Sequence, residues 1–145
     1  MKGYVDSGVL IKLYVKERNS AEAARAVSRI GAPVLTPLHE LEIRNALRAL
    51  EGRGLVSAAQ QATASHVLEA DILSRRLRRA SPDWTRVYEI ASMLSQRHTP
   101  DTLARSLDIL HVAAAIAVEA GVFVTADSRQ AEVARRAGLE VTMVE

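Results

Sequence analysis

The chain contains no cysteine, which removes disulfides, zinc–thiolate sites and cysteine nucleophiles at once. Aromatic residues make up only 3% of it, so the core must be built from Ala, Val, Leu and Ile, a mix that favours helices packed closely on β-branched strands. No run approaches the roughly 18 consecutive apolar residues that a membrane span requires. Met1-Lys2 leads straight into a short apolar run ending at Asp6, with no visible targeting signal. A cytoplasmic protein without membrane association is the expectation. Internal repeats, low-complexity segments and linkers are also missing. At 145 residues there is enough chain for one buried core and too little for two comfortable ones, so residues 1–145 are expected to form a single domain.

Against those absences stand 48% apolar residues, ample for a packed interior. The formal net charge is only +2, with an isoelectric point of about 9.3, by itself weak ground for an anionic partner. The placement of charge says more. Arg75, Arg76, Arg78 and Arg79 sit together, and Arg44, Arg48 and Arg53 share one expected helix. Such runs ordinarily form solvated helix faces.

Gly3-Tyr4-Val5 reads as a first strand ending at Asp6-Ser7, followed by a helix through Val9, Leu10, Leu13 and Tyr14. Asn19-Ser20 is expected to cap a second short helix. Ala32-Pro33-Val34-Leu35 reads as a buried strand. Thr36 then caps a helix with Pro37 at its first position, where a missing N–H costs nothing, and that helix stops at Gly52-Arg53-Gly54. Ser57 opens a long helix to about Arg79, Ser81-Pro82-Asp83 breaks the chain, and Val87 to His98 is again helical. Thr99-Pro100-Asp101 is expected as a loop. Ser106 begins an alanine-rich helix that Gly121 should terminate. Val122 to Thr125 is a strand, Ser128 to Ala137 a helix closed by Gly138, and Val141 to Val144 the last strand. Short apolar strands separated by helices predict a central, mainly parallel sheet covered on both faces, a three-layer α/β/α fold. Ligands in such folds bind beyond the carboxyl ends of the strands.

Four acids occupy informative places. Asp6 directly follows the first strand, and Asp127 lies just past Val122 to Thr125. Glu42 falls in the second turn of the helix after Thr36, and Asp108 in the first turn of the alanine-rich helix, between Leu107 and Ile109. Each has an ordinary structural use. Asp6 and Asp127 could cap the helices that follow them, and first-turn acids are favoured by the helix dipole. An acid flanked by apolar residues is partly buried, however, which is costly without a partner. One partner would suit all four, a divalent cation such as Mg²⁺ or Mn²⁺, which prefers oxygen ligands and keeps positions open for water and substrate phosphate.

The runs Tyr4-Val5-Asp6-Ser7, Glu42-Ile43-Arg44-Asn45-Ala46-Leu47, Leu107-Asp108-Ile109-Leu110-His111-Val112-Ala113 and Val124-Thr125-Ala126-Asp127-Ser128-Arg129-Gln130 resemble, in order and spacing, the four signature blocks of PIN-domain nucleases. In size the chain is similar to the VapC-type toxins of toxin–antitoxin pairs. The resemblance implies a PIN-like fold and a catalytic set of Asp6, Glu42, Asp108 and Asp127, with Ser7 and Thr125 as supporting hydroxyls. Asp6 and Asp108 would be the direct metal ligands, with Glu42 and Asp127 acting through water or orienting it. It further implies a Mg²⁺- or Mn²⁺-dependent endoribonuclease acting on RNA, a small antitoxin partner, and a homodimer built on the helices around Leu55 to Leu77. Glu40 competes with Glu42 for its place, but a step of two residues turns side chains about 200° apart on a helix, so both cannot face one metal. Glu42 has the spacing to Ala46-Leu47 that the family block requires. Ile109 is bulkier than the block's usual residue, at a packing position.

Other readings are weaker. A haloacid-dehalogenase-type phosphatase needs a second acid two residues after Asp6, where this chain has Gly8. A phospho-accepting receiver needs a late lysine, and none follows Lys16. A degenerate binding platform should have lost one of the four acids, and a non-toxin RNA-processing nuclease would share them all. His39, His66, His98 and His111 show no paired metal-ligand spacing; His111, one turn from Asp108, is expected as a packed histidine. Trp84 is expected as a core or interface anchor.

Overall fold

The computed structural model describes residues 2–145. Its centre is a parallel sheet in the order β1-β4-β5, formed by Gly3–Val5 (β1), Val122–Thr125 (β4) and Glu140–Met143 (β5). Tyr4 is opposite Phe123 and Val5 opposite Val124, while Phe123 and Val124 face Val141 and Thr142. Because side chains alternate across a strand, two cores form. Val5, Val122 and Val124 point into one, and Tyr4, Phe123 and Val141 into the other. Tyr4 and Phe123, both fully buried, stack with ring centroids 5.6 Å apart and planes 7° from parallel.

Helices α1 (Ser7–Ile11), α2 (Ser20–Ser28), α3 (Pro37–Gly52) and α4 (Ala58–Leu73) cover the first face. Helices α5 (Trp84–Thr102), α6 (Ser106–Ala117) and α7 (Ser128–Arg136) cover the second. The fold is the expected α/β/α sandwich. A two-stranded parallel extension, β2 (Val34–Leu35) with β3 (Arg78–Arg79), lies beside it.

Several boundaries differ from expectation. The helix from Ser57 does not reach Arg79. It ends at Leu73, the chain turns through Arg75 in the left-handed region (φ 62°), and Leu77 is buried. Arg78 N–H then donates to Pro33 O at 2.9 Å, and Ala80 N–H to Leu35 O at 3.0 Å, so the supposed last turn is a strand. Pro100 lies inside α5 rather than in a loop. A proline near a helix end forfeits one backbone bond, here to Gln96 O; the helix nevertheless continues to Thr102, whose hydroxyl donates to His98 O at 2.9 Å, and Leu103 closes it at φ 56°. Gly121 is not the terminator of α6. Glu119 takes the left-handed turn (φ 59°), and Gly121 N–H already donates to Lys2 O at 3.0 Å beside β1. Asn19 stands at the start of α2 without a side-chain capping bond. Past Ile11, the helix through Leu13 and Tyr14 loosens into turns. Trp84 is half-buried against the second core.

Candidate active site

The carboxyl ends of β1 and β4 set the first two acids side by side, since Val5 and Val124 are in register and Asp6 N–H donates to Val124 O at 2.9 Å. Asp6 caps α1, its Oδ2 accepting from Gly8 N–H at 3.1 Å. A Cβ at position 8 would lie 3.1 Å from that oxygen, so the close approach suits glycine. Asp127 caps α7, its Oδ1 accepting from the N–H groups of Arg129 at 2.8 Å and Gln130 at 2.9 Å. Both acids therefore do serve as helix caps, and each keeps a carboxylate at the sheet edge.

Asp108, third residue of α6, lines a cleft of about 450 Å³ with Arg105, Ala126, Asp127, Ser128 and Arg129. Its pKa is raised, first by burial and then by the negative charges of Asp127 and Asp6. The helix dipole favours an acid at that position by about 0.3–1 kcal/mol, so burial and like charge outweigh it. Asp108 therefore lies within the field of both Asp127 and Asp6.

Glu42 stands to the side of this group. Its Oε1 accepts from the Ser7 hydroxyl at 2.9 Å and from His111 Nε2–H. Burial pushes its pKa up, but the His111 hydrogen bond, the field of that imidazole and the Ser7 hydroxyl together bring it below the ordinary value. His111 is itself buried, and its Nδ1 accepts from the Tyr4 hydroxyl at 2.7 Å. Burial holds the Tyr4 phenol well above its usual pKa, so the O–H remains a donor. His111 is packed as expected, but against a site acid, a pairing that helical spacing alone does not show. Glu40, the rival, is turned to Arg79 (Nη2–Oε1 2.8 Å) and Arg44 (3.6 Å).

Two further residues have roles beside the acids that sequence alone does not assign. His39, third in α3, accepts from Thr36 N–H and donates Nε2–H to Val5 O at 2.8 Å, tying that helix to the residue before Asp6. Gln130, fully buried, donates to Asp6 Oδ1 at 3.1 Å and accepts from the Thr125 hydroxyl at 2.6 Å. Its place three residues after a capping Asp was the one visible signal.

The hard carboxylate oxygens of Asp6, Asp108 and Asp127 are the donor type that a Mg²⁺- or Mn²⁺-class ion prefers. Among the described residues no three acidic or histidine side chains form a ready cage. No described helix is long and apolar enough to cross a membrane.

The family model for the PIN domain matches residues 3–136. The chain belongs to the PIN-domain family. Among solved structures, this PIN domain is similar to a chain of VapBC2 from Rickettsia felis, bound to a DNA fragment from its promoter, with a TM-score of 0.69 and 14% identity over 100% of both chains. It is also similar to PAE2754 from Pyrobaculum aerophilum, with a TM-score of 0.62 and 18% identity over 97% of this chain and 83% of that one. At those identities the likeness is one of fold. No curated protein sequence matches the chain. PIN domains are in general nucleases, and the sheet edge with its aspartates is where phosphodiester chemistry would be placed.

Proposed function

We propose that the protein is a divalent-metal-dependent endoribonuclease, the toxin of a toxin–antitoxin pair, acting as one cytoplasmic PIN domain per chain. The observation that carries the nuclease reading is the placement of Asp6 and Asp127 at the ends of the adjacent strands β1 and β4, with Gln130 bonded to both the Asp6 carboxylate and the Asp108 backbone. Asp6 and Asp108 would hold the ion, with Asp127 and Glu42 ordering water around it. A bound Mg²⁺ or Mn²⁺ would supply an acidified water and charge neutralisation at the phosphoryl oxygen.

The protein's own groups do the rest. His111 and Ser7 hold Glu42 ionised, as an acceptor for a water proton. Arg105 and Arg129 line the cleft beside Asp108 and Asp127, and among the described residues neither pairs with a carboxylate. They would meet backbone phosphates, contacts that position a strand without reading its sequence. The fold likeness to a VapBC2 chain supports the toxin reading, with a small antitoxin as partner. Leu55, Val67 and Leu73, all exposed, lie on the segment assigned to a homodimer face.

The purified chain should cleave single-stranded RNA with Mg²⁺ or Mn²⁺ and stop on chelation, and Asp108→Asn should lose orders of magnitude in rate. Undiminished cleavage in EDTA would falsify the mechanism. Expression alone should arrest growth, and co-expression with the product of an adjacent small reading frame should restore it. An active nuclease that is harmless to its host would instead assign a role in RNA processing.

A further inference from the structure

The chain offers three helices whose capping residue and third position follow one pattern, and in two of them the third side chain turns back on the cap. In α3, His39 Nδ1 accepts from Thr36 N–H at 3.0 Å. In α4, Gln60 Oε1 accepts from Ser57 N–H at 2.8 Å. This is the reciprocal box that satisfies two otherwise unpaired donors at a helix start. Asp127 and Gln130 of α7 repeat the pattern, with the same residue type as α4 in the third place. Asp127 caps Gln130 N–H at 2.9 Å, yet the Gln130 side chain does not return the bond.

The Thr125 hydroxyl has taken its place. Thr125 Oγ1 accepts from Asp127 N–H at 3.0 Å and donates to Gln130 Oε1 at 2.6 Å. With its oxygen so held, Gln130 turns its Nε2 outward, donating one proton to Asp6 Oδ1 at 3.1 Å and the other to the Asp108 backbone carbonyl at 3.2 Å. The amide cannot flip, because the flipped oxygen would face a carboxylate and a carbonyl, both acceptors only. A fully buried side chain is thus fully satisfied, and it joins β1, α6 and the β4–α7 turn at one point.

From this we infer that Gln130 is a positioning residue for the metal site, an uncharged clamp that fixes the Asp6 carboxylate relative to Asp108 and Asp127; the inference rests on the metal reading above. Asp6 is then held at both oxygens, by Gly8 N–H on Oδ2 and Gln130 on Oδ1, with one lone pair left on each. The donor's neutrality matters. A Lys or Arg there would neutralise Asp6 and compete with the ion, whereas an amide orients the carboxylate and leaves its charge. Partners of this kind typically change metal affinity by about 10–100-fold when removed.

The experiment is a Mn²⁺ titration of the full chain, followed by the electron paramagnetic resonance signal of the free ion, with circular dichroism to confirm folding. Gln130→Met keeps the volume and removes the clamp. Gln130→Asn keeps the amide but is one methylene too short to span Thr125 and Asp6, and it carries the test if the Met variant does not fold. Gln60→Met is the control, since it breaks the equivalent box on α4 away from the acids. The expected result is Mn²⁺ affinity at least about tenfold weaker in the Gln130 variants and unchanged in Gln60→Met. In RNA cleavage at saturating Mn²⁺, kcat should fall while KM for RNA holds. Parent-like Mn²⁺ affinity in a folded Gln130 variant overturns the inference, as does an equal loss in Gln60→Met, which would mark a general stability effect. A parent chain that binds no Mn²⁺ overturns the metal reading itself, and this inference with it.

Discussion

Glu40 and Glu42 stand two residues apart on α3, about 200° around the helix from each other, and meet different chemistry. Glu40 reaches the exposed guanidinium of Arg79 and that of Arg44. Surface pairs of this sort contribute about 0–1 kcal/mol. Glu42 is held by Ser7 and by a buried histidine that Tyr4 orients. Glu40→Gln should therefore keep its cleavage rate and change the unfolding free energy from urea titration by less than about 1 kcal/mol. Glu42→Gln should lower cleavage at least about tenfold, as loss of a group that orders water at a metal usually does. Side-by-side rates on one RNA decide the matter, and equal losses would mean that Glu42 has no role at the site that Glu40 lacks. The choice could be made from spacing along the helix, but its cause could not. The partner that holds Glu42 is His111, 69 residues away, and nothing local announces that pairing.

At the scale of elements, α3 is anchored to β1 by His39, whose Nε2–H donates to Val5 O. Burial first, and then neighbouring His111, lowers its pKa from 6.5 to about 3. The folded chain therefore keeps His39 neutral while the unfolded chain takes up a proton below about 6.5. Stability must then fall as the pH drops from about 6.5 toward 3, by at most about 1.4 kcal/mol per pH unit from this one group. His39→Gln preserves the Thr-x-x-Gln capping box and cannot titrate. Urea unfolding of the variant should be less stable at pH 7 but flatter between pH about 6.5 and 4; parallel curves would show that His39 is not the group responsible. Elements built from local signals were legible in the sequence: Thr36-Pro37 opens α3, Asp6 follows β1, and the strands β1 and β4 bury both faces. One that was not depends on a distant partner: β3 exists because Val34 and Leu35 offer Arg78 and Arg79 an edge. Pro100 was misleading for another reason, since it lies within the last turn of α5, where the helix continues to a left-handed close at Leu103. The position of Gln130 could be read, but its orientation depends on Thr125.

Across the whole molecule, the acids come from both sides of one sheet. Asp6 and Glu42 belong to the face packed by α1 to α4, Asp108 to the face packed by α5 to α7, and Asp127 to the turn between β4 and α7. The negative charges of Asp127 and Asp6 thus act on Asp108 across the seam between the two layers. The pKa of Asp108 is raised above 3.8 in the folded chain, by burial and then by Asp127 and Asp6. A carboxyl raised in this way binds its proton more tightly when folded, so it lowers stability once the pH exceeds the unfolded value, and the penalty disappears below it. Metal-free Asp108→Asn should accordingly melt above the parent at pH 7, and the gap should close as the pH falls toward 3.8. Mn²⁺ should reverse the order. A ligand at a hundred times its Kd stabilises the folded state by about 2.7 kcal/mol, on the order of 5–10 °C for a domain of this size. The parent should gain that much and Asp108→Asn much less. The two melting curves with and without Mn²⁺ therefore cross only if the carboxylates converge on an ion. An Asn variant that is less stable without metal, and responds to Mn²⁺ like the parent, would reduce Asp108 to a favourable first-turn acid of α6.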